Sequence, residues 1–523
     1  MKKIFWILLP LLIFASCGKT DPPVTPTSED NTPDQVIETV TETVTETVTN
    51  KPNRLLYSQS SESVTLDPHD ASDIYSRRVI TNLYDRLIET TETLEVIPGV
   101  AESWEQVDDL TLKFTLKQGI KFHNGEELTA EDVKFTFERA KTMPRVVTLF
   151  EMIDTIETPD PYTVIFKTAQ PSGSLIHHLT HISASILNKN FAENNDAINH
   201  EPMGTGPYTL EEWRSGSHIL LKRFDGYFRG VAPIEFVEIR VVPEENSRVI
   251  AVETGEHHIA DDIESIGRGL LEDKAGVRIE EMSSFGVAYL GLNTTKGPLQ
   301  DVNVRRAIAM GIDRATMIEA LIGDHIELAN SILGPGVVGH SKETQPVDYN
   351  PEEAKRLLAE AGHETLDLTL SISDSAIRRQ MSEVIQAQLR EVGINIKIEI
   401  LEWAAFLNYT GNGESDLFML GWTNSSGDAD FGITQMLHSS MAGGAGNRSF
   451  FNNSEFDSLL EAGRIELDPE KRNELYARAQ DIMNEEVPLF PIYCTLSSSG
   501  VRDEVKGFVQ SPLRMPRFFN MSF

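Results

Sequence analysis

Histidines, cysteines and two strand-end tryptophans are the side chains of this 523-residue chain whose types and spacing could do chemistry. His177, His178 and His181 stand in a His-His-Leu-Thr-His run, with His177 and His181 at the interval that aligns side chains on a helix face. His257 and His258 form a second pair. Imidazoles so spaced can ligate a metal, but no cysteine or glutamate completes a tetrahedral set, and the glutamate of a His-Glu-x-x-His helix is absent. The pattern favours structural histidines, so no metal site and no cofactor is assigned. Cys494 follows the apolar run Pro488-Leu489-Phe490-Pro491-Ile492-Tyr493, where a cysteine packs as a small core residue rather than a nucleophile. There is no Gly-x-Ser-x-Gly elbow, phosphate-binding loop or zinc-protease motif. With 80 Asp and Glu, carboxylate pairs arise by chance, which leaves a secreted hydrolase as a weak alternative.

The elements that must position these groups are legible as alternating strands and helices. Leu110 to Lys117 alternates strictly, so Leu110, Leu112, Phe114 and Leu116 share one strand face. Asn124-Gly125 supplies a turn, and Thr129, with Asp132 three residues on, caps a helix running through Lys141. Asn350-Pro351 starts another helix, which Gly362 ends. Leu366 to Ser373 reads as a strand, Ala376 to Val392 as a helix stopped by Gly393, and Ile394, Ile396, Ile398 and Ile400 as one face of a strand reaching Trp403. A short amphipathic piece around Phe406 precedes a strand from Asp416 to Trp422. Strands alternating with helices predict a mostly parallel sheet, whose ligands lie beyond the carboxyl ends of the strands. Trp403 and Trp422 each close a strand and are therefore candidate cleft residues.

Composition narrows the partners. The net charge is −34, against the basic surface that nucleic acid or an anionic lipid would require. At about 150 residues per domain the length predicts roughly three domains or two large lobes. Lys2 and Lys3 precede an apolar run from Ile4 to Ala15, which reads as a secretory signal over residues 1–16. Phe14-Ala15-Ser16-Cys17 resembles a bacterial lipobox, with Phe14 where leucine is usual, so Cys17 is expected to carry lipid. Residues 17–52 then form a tether: they are rich in Pro, Thr and Glu, with a Glu-Thr-Val-Thr unit repeated three times from Glu38 to Thr49. Such a segment cannot bury enough apolar surface to offset its ordering entropy.

From about Leu55 to the C-terminus the chain resembles the family 5 extracellular solute-binding proteins of ABC importers, the dipeptide-, oligopeptide- and nickel-binding type. The blocks that carry the resemblance run from Pro98-Gly99-Val100-Ala101-Glu102-Ser103-Trp104 through Leu110 to Gly125, closing with Thr129-Ala130-Glu131-Asp132-Val133. Further blocks are Leu66-Asp67-Pro68-His69, Gly204-Thr205-Gly206-Pro207-Tyr208, Asn303-Val304-Arg305-Arg306-Ala307-Ile308 and Asp416 to Trp422. The resemblance implies an α/β, two-lobed periplasmic-binding-protein-like (type II) fold with an extra subdomain in lobe I. Lobe I is expected over 53–285, with the subdomain inserted at about 75–200, lobe II over 286–488, and 489–523 returning to lobe I. The chain should cross between lobes near Ser283 to Asn293 and near Asn484 to Tyr493. The implied function is an extracytoplasmic, membrane-anchored monomer that closes on a small solute, an oligopeptide in first place, and delivers it to membrane permease subunits without making or breaking a bond.

The resemblance also bears on the solute. Peptide binders of the family place a carboxylate for the α-ammonium three residues beyond the tryptophan, and here that position is Ser425. Either Asp428 or Asp430 replaces it from a shifted loop, or the solute has no free amino terminus; the same aspartates are also ordinary turn residues beside Gly427. Dipeptide binders add an arginine after the strand equivalent to Leu366–Ser373, and Arg378 is the candidate, with Arg379 beside it. The expected ligand-binding set is thus Arg378, Trp403, Trp422, Ser425, Asp428 and Asp430. A sugar stacked on the two tryptophans, or a metal–metallophore complex, are the non-peptide alternatives.

Overall fold

The computed structural model describes residues 53–91, 95–193, 198–323, 326–444 and 446–523. The secretory signal, Cys17 and the tether lie outside the described residues. Among those described, no helix is long and apolar enough to cross a membrane.

The frame is one ten-stranded sheet carrying both lobes. Its centre is two long antiparallel strands, Val277–Leu292 and Leu489–Arg502. On one side lie Ile259–Ala260, Arg54–Gln59, Phe236–Val241, His218–Arg223 and Tyr208–Arg214; on the other lie Leu417–Thr423, Leu366–Ser373 and Ile394–Leu401. The sheet is less parallel than the alternation of elements suggests. Parallel pairing is confined to Arg54–Gln59 with its two neighbours and Leu366–Ser373 with its two neighbours. The long strands run in opposite directions, which forces antiparallel ladders at the centre.

Those two strands pair from Val277–Arg502 to Ser283–Leu496, and again from Val287–Cys494 to Gly291–Leu489 with one further shift at Ala288–Tyr289. The main break falls between Ser283 and Val287. It is held by small groups. Ser284 Oγ and Thr495 Oγ1 are 2.6 Å apart, and Gly286 N donates to Ser284 Oγ at 3.0 Å. A Cβ on Gly286 would sit 2.2 Å from Thr495 Oγ1, so a larger residue here must displace the Thr495 side chain from its contact with Ser284.

Helices cover both faces of the sheet beyond the break. Val302–Met310 and Ala376–Glu391 bury one face over Leu368, Leu370, Ile372, Leu417 and Met419; Ala429–Leu437, Ser454–Ile465 and Pro469–Glu486 bury the other over Val287, Tyr289 and Phe418. A second sheet, in strand order Ala101–Asp108, Thr111–Leu116, Thr163–Thr168 and Ile153–Asp160, packs its own core with the helix Ala130–Ala140. Thr129 caps that helix in a capping box with Asp132, as its spacing predicts. Leu110 departs from the expected strand face: it lies in the turn before Thr111 and is exposed, while Leu112, Phe114 and Leu116 are buried. The helix Ile74–Leu83 packs with the Arg54–Gln59 core rather than with the small sheet.

Candidate solute-binding cleft

Three neighbouring parallel strands, Leu366–Ser373, Ile394–Leu401 and Leu417–Thr423, end at one edge of the sheet, and the segments that leave those ends build the candidate site. After the first, Ser375 is the N-cap of the helix Ala376–Glu391, which puts Arg378 in its opening turn. After the second, Glu402 caps a helix over Trp403–Gly411, accepting from the backbone N–H groups of Ala404 and Ala405 at 2.9 and 3.2 Å. Trp403 therefore opens a helix instead of closing the strand, which already ends at Leu401. It is half exposed, stacks on Phe406 at 6.0 Å between centroids, and lies under the Arg378 guanidinium at 5.9 Å. Arg378 also donates to Ser373 Oγ, and no carboxylate pairs with it among the described residues. Arg379 points elsewhere, onto Asp374.

After the third strand the chain turns through residues 424–428 into the helix Ala429–Leu437. Trp422 is half-buried, paired in register with Val287 of the long strand, and its ring lies 6.0 Å from Phe431. Its Nε1–H is buried without a partner among the described residues. Asn424 sets the turn: its side chain donates to Asp428 O at 2.8 Å and accepts from Ser426 N at 3.2 Å.

Asp428 and Asp430 are both committed to arginines from distant helices. Asp428 is fully buried, accepts two 2.7 Å bonds from Arg472, and caps the helix through Asp430 N at 2.9 Å. Burial opposes the charge, but Arg472 outweighs it and holds the Asp428 carboxyl below the usual range. Asp430 accepts from Arg464 Nε at 3.1 and 3.3 Å. Neither is a free anion. Arg472 stands 44 residues from Asp428 and Arg464 stands 34 from Asp430, and no local pattern ties these pairs together.

Ser425 faces a group from a distant part of the chain. His181 Nε2 lies 3.1 Å from Ser425 Oγ, linking the segment after the small sheet to the loop that follows the strand Leu417–Thr423. The same segment donates Gly173 N to Arg464 O at 3.0 Å, and puts His177 Nε2 3.9 Å from Asp428 and His178 Nε2 3.9 Å from Asp430. The three histidines do not share a helix face: the helix Leu175–His178 ends before His181, which caps the short turn Ile182–Ala184 through Ser183 N. Phe431, whose ring sits 6.3 Å from that of His181, completes the cluster. Burial, followed by the charge of Arg77, holds His181 well below the usual imidazole range. His258 Nδ1 accepts from Leu56 N at 2.9 Å, a strand-end contact far from this cluster in the sheet. Cys494 is buried against the Val287 face, and burial pushes its thiol up to about 12.

Beside the break in the long strands lies a cavity of about 330 Å³, with Glu264 and Ser498 on one side, Ile326 and Ile377 on the other, and Tyr493 and Thr495 from the strand Leu489–Arg502. It reaches the opening turn of the helix that bears Arg378.

Residues 95–444 match the family model "Bacterial extracellular solute-binding proteins, family 5 Middle". The dipeptide-binding protein of Escherichia coli K12 is 31% identical over 474 residues, covering 84% of this chain and 89% of the relative. Heme-binding protein A of Haemophilus influenzae is 28% identical, over 84% of this chain and 86% of its own length. Among solved structures, the ABC transporter-associated periplasmic binding protein DppA of Helicobacter pylori, in complex with the peptide STSA, superposes with a TM-score of 0.79 at 27% identity, over 90% of this chain and 98% of that one. The family model spans well over half of the chain and the relatives most of it, so this chain belongs to the family 5 bacterial extracellular solute-binding proteins.

Proposed function

We propose that this protein captures a peptide-like solute between its lobes by hinge closure and hands it intact to the permease of an ABC importer. The observation that carries this reading is that three strand ends aim Arg378, Trp403, Trp422 and Ser425 at one edge, while His181 from the opposite lobe meets Ser425 there. Contacts that bridge two lobes exist only when the lobes are together, so a solute that adds contacts to both shifts the population to the closed form. The strand break at Ser284–Gly286 opposite Thr495 is the hinge: the paired ladder on either side is stiff, and the few residues between absorb the rotation.

Trp403 offers a flat apolar face, and Arg378 above it a cation able to meet a carboxylate of the solute. Asp428 and Asp430 act in the closed frame of the lobe rather than on solute, because each carboxylate is already neutralised. No step here breaks a bond. The protein works outside the cytoplasmic membrane as a monomer, attached through lipid on Cys17, with the tether giving it reach.

The test is mass spectrometry of material co-purifying with the full protein under non-denaturing conditions. A discrete peptide or small family of peptides, released intact on unfolding, is expected. Recovery of a metal–chelate or sugar alone would replace the peptide, and recovery of hydrolysed fragments would replace binding by turnover.

A further inference from the structure

The cavity of about 330 Å³ beside the strand break has room for one long side chain rather than a peptide, since pockets that hold a whole small molecule run from about 300 to 1,000 Å³. Its walls are largely apolar: Ile263 follows the strand Ile259–Ala260, Leu321 and Ile377 come from the helices beyond the break, and Leu496 from the strand Leu489–Arg502. Ile377 immediately precedes Arg378, and the charges of Arg378 and Glu264 both reach the phenol of Tyr493 in the cavity wall. The charged groups of the wall do not cancel. Arg268 Nε donates to both carboxylate oxygens of Glu281, at 3.0 and 3.1 Å, which leaves Glu264 over. Glu264 is exposed and forms no ion pair among the described residues; Arg248, whose charge reaches it, donates its own N–H groups to the carbonyl oxygens of Val242, Pro243, Asp261 and Asp262. Glu245 adds a second negative charge, accepting from Glu264 N at 2.7 Å. Partial desolvation, followed by that like charge, raises the Glu264 carboxyl. Ser498 stands beside this segment, its carbonyl accepting from Ile263 N at 3.1 Å, and its hydroxyl is buried in the cavity wall with no partner among the described residues. A buried hydroxyl left unpaired is destabilising, and a polar ligand atom in the cavity would relieve it.

We propose that this cavity takes a lysine or arginine side chain of the solute, its aliphatic stem along Ile263, Leu321 and Ile377 and its cation at Glu264, so that the protein selects peptides carrying a basic residue. Long basic side chains lay their methylenes on apolar surface and keep the charged head at a wet edge. The cavity supplies both parts: an apolar wall, and in Glu264 an exposed acid with no cation of its own. The head group has several N–H donors and no acceptor, which suits a carboxylate and a serine lone pair together. An acidic side chain would meet Glu264 and Glu245 as like charges. An uncharged aliphatic one would fill the wall and gain nothing from Glu264.

This inference rests on the peptide-binding reading, and the experiment separates the two. Full protein freed of bound solute is incubated with an equimolar synthetic mixture of tetra- and pentapeptides of alanine, each present unsubstituted and with one position at a time as lysine, norleucine or glutamate. Norleucine keeps the stem of lysine and drops its charge. The retained fraction is quantified by mass spectrometry. At one position or more, lysine should be enriched at least fivefold over norleucine, and further over glutamate. Glu264→Gln, at an exposed residue, should keep the parent's unfolding midpoint and bring lysine down to the level of norleucine. Ala376→Phe, at an exposed residue of the cavity wall, should narrow the space and lower lysine and norleucine alike relative to the all-alanine peptides. A lysine preference below fivefold in the parent, enrichment of norleucine or glutamate, or a preference undiminished in Glu264→Gln overturns the basic side-chain pocket and leaves peptide binding standing. Retention of no peptide overturns both.

Discussion

Replacing Arg472 by Met leaves Asp428, fully buried at the start of the helix Ala429–Leu437, without its counter-charge. Breaking a buried ion pair from one side costs about 3–5 kcal/mol, because the remaining charge is desolvated and uncompensated. Asp428 has a second duty as N-cap, accepting from Asp430 N at 2.9 Å, and losing such a cap costs about 1 kcal/mol. Asp428→Ala should therefore cost about 4–6 kcal/mol, and Asp428→Asn, which still caps, about 3–5 kcal/mol through the stranded Arg472. The double variant Asp428→Asn with Arg472→Met removes both charges and should recover most of the loss, because a neutral pair of similar shape avoids both desolvation penalties. Urea unfolding followed by tryptophan emission and by far-ultraviolet circular dichroism reads all four, with coincidence of the two probes checking that the transition is two-state. The pH dependence has a fixed sign. Asp428 is held below its usual range in the folded protein, so its contribution is full above the unfolded carboxylate pKa and is lost as pH falls through the lower folded value. The gap between parent and Arg472→Met should thus narrow towards acid. An Arg472→Met cost below about 1 kcal/mol would refute the assignment of Asp428 as a structural anion and return it to the pool of ligand carboxylates.

Other consequences are open to measurement. Gly286→Ala forces a Cβ to within 2.2 Å of Thr495 Oγ1, so it should destabilise the strand crossing by about 1–3 kcal/mol and weaken solute binding, with Thr495→Ala in the same chain restoring much of both, by unfolding and calorimetry. Trp403→Ala should lower solute affinity by about tenfold with a stability change inside about 0.5 kcal/mol, because the side chain is half exposed and outside the core. Burial depresses His177, His178 and His181 in the closed arrangement, so protonation favours parted lobes, and affinity should decline as pH falls below about 6.5, the value of a free imidazole. Titration calorimetry between pH 8 and 5 checks this, and a flat profile would contradict it. Native Cys494 should resist a water-soluble thiol reagent until the protein is unfolded.

Much of the fold is legible in the sequence because its cues are local. The strand Leu366–Ser373 and the helix Pro351–Glu360 with its Asn350 cap fall where the alternation and the Asn-Pro and Gly signals put them. Trp403 lies beyond its expected strand because a helix cap at Glu402 and a strand end at Leu401 look alike in an apolar-alternating run. The histidines mislead in the same way: their spacing matches a helix, yet the chain leaves the helix at His178 and turns, sending His181 across to Ser425. The departure at Ser425 is visible in sequence, whereas its partner 244 residues away is not. The pairing of Asp428 with Arg472 is equally invisible, since which charge meets which is decided by how three helices pack over one sheet face.

Closure of two lobes over a solute that leaves unchanged is the central claim. Small-angle scattering of the full protein, stripped of bound material and then given back the solute recovered from it, measures this directly. A smaller radius of gyration on adding the solute is expected, with the solute recovered chemically identical; an unchanged radius at saturating solute, or recovery of a converted product, would contradict it.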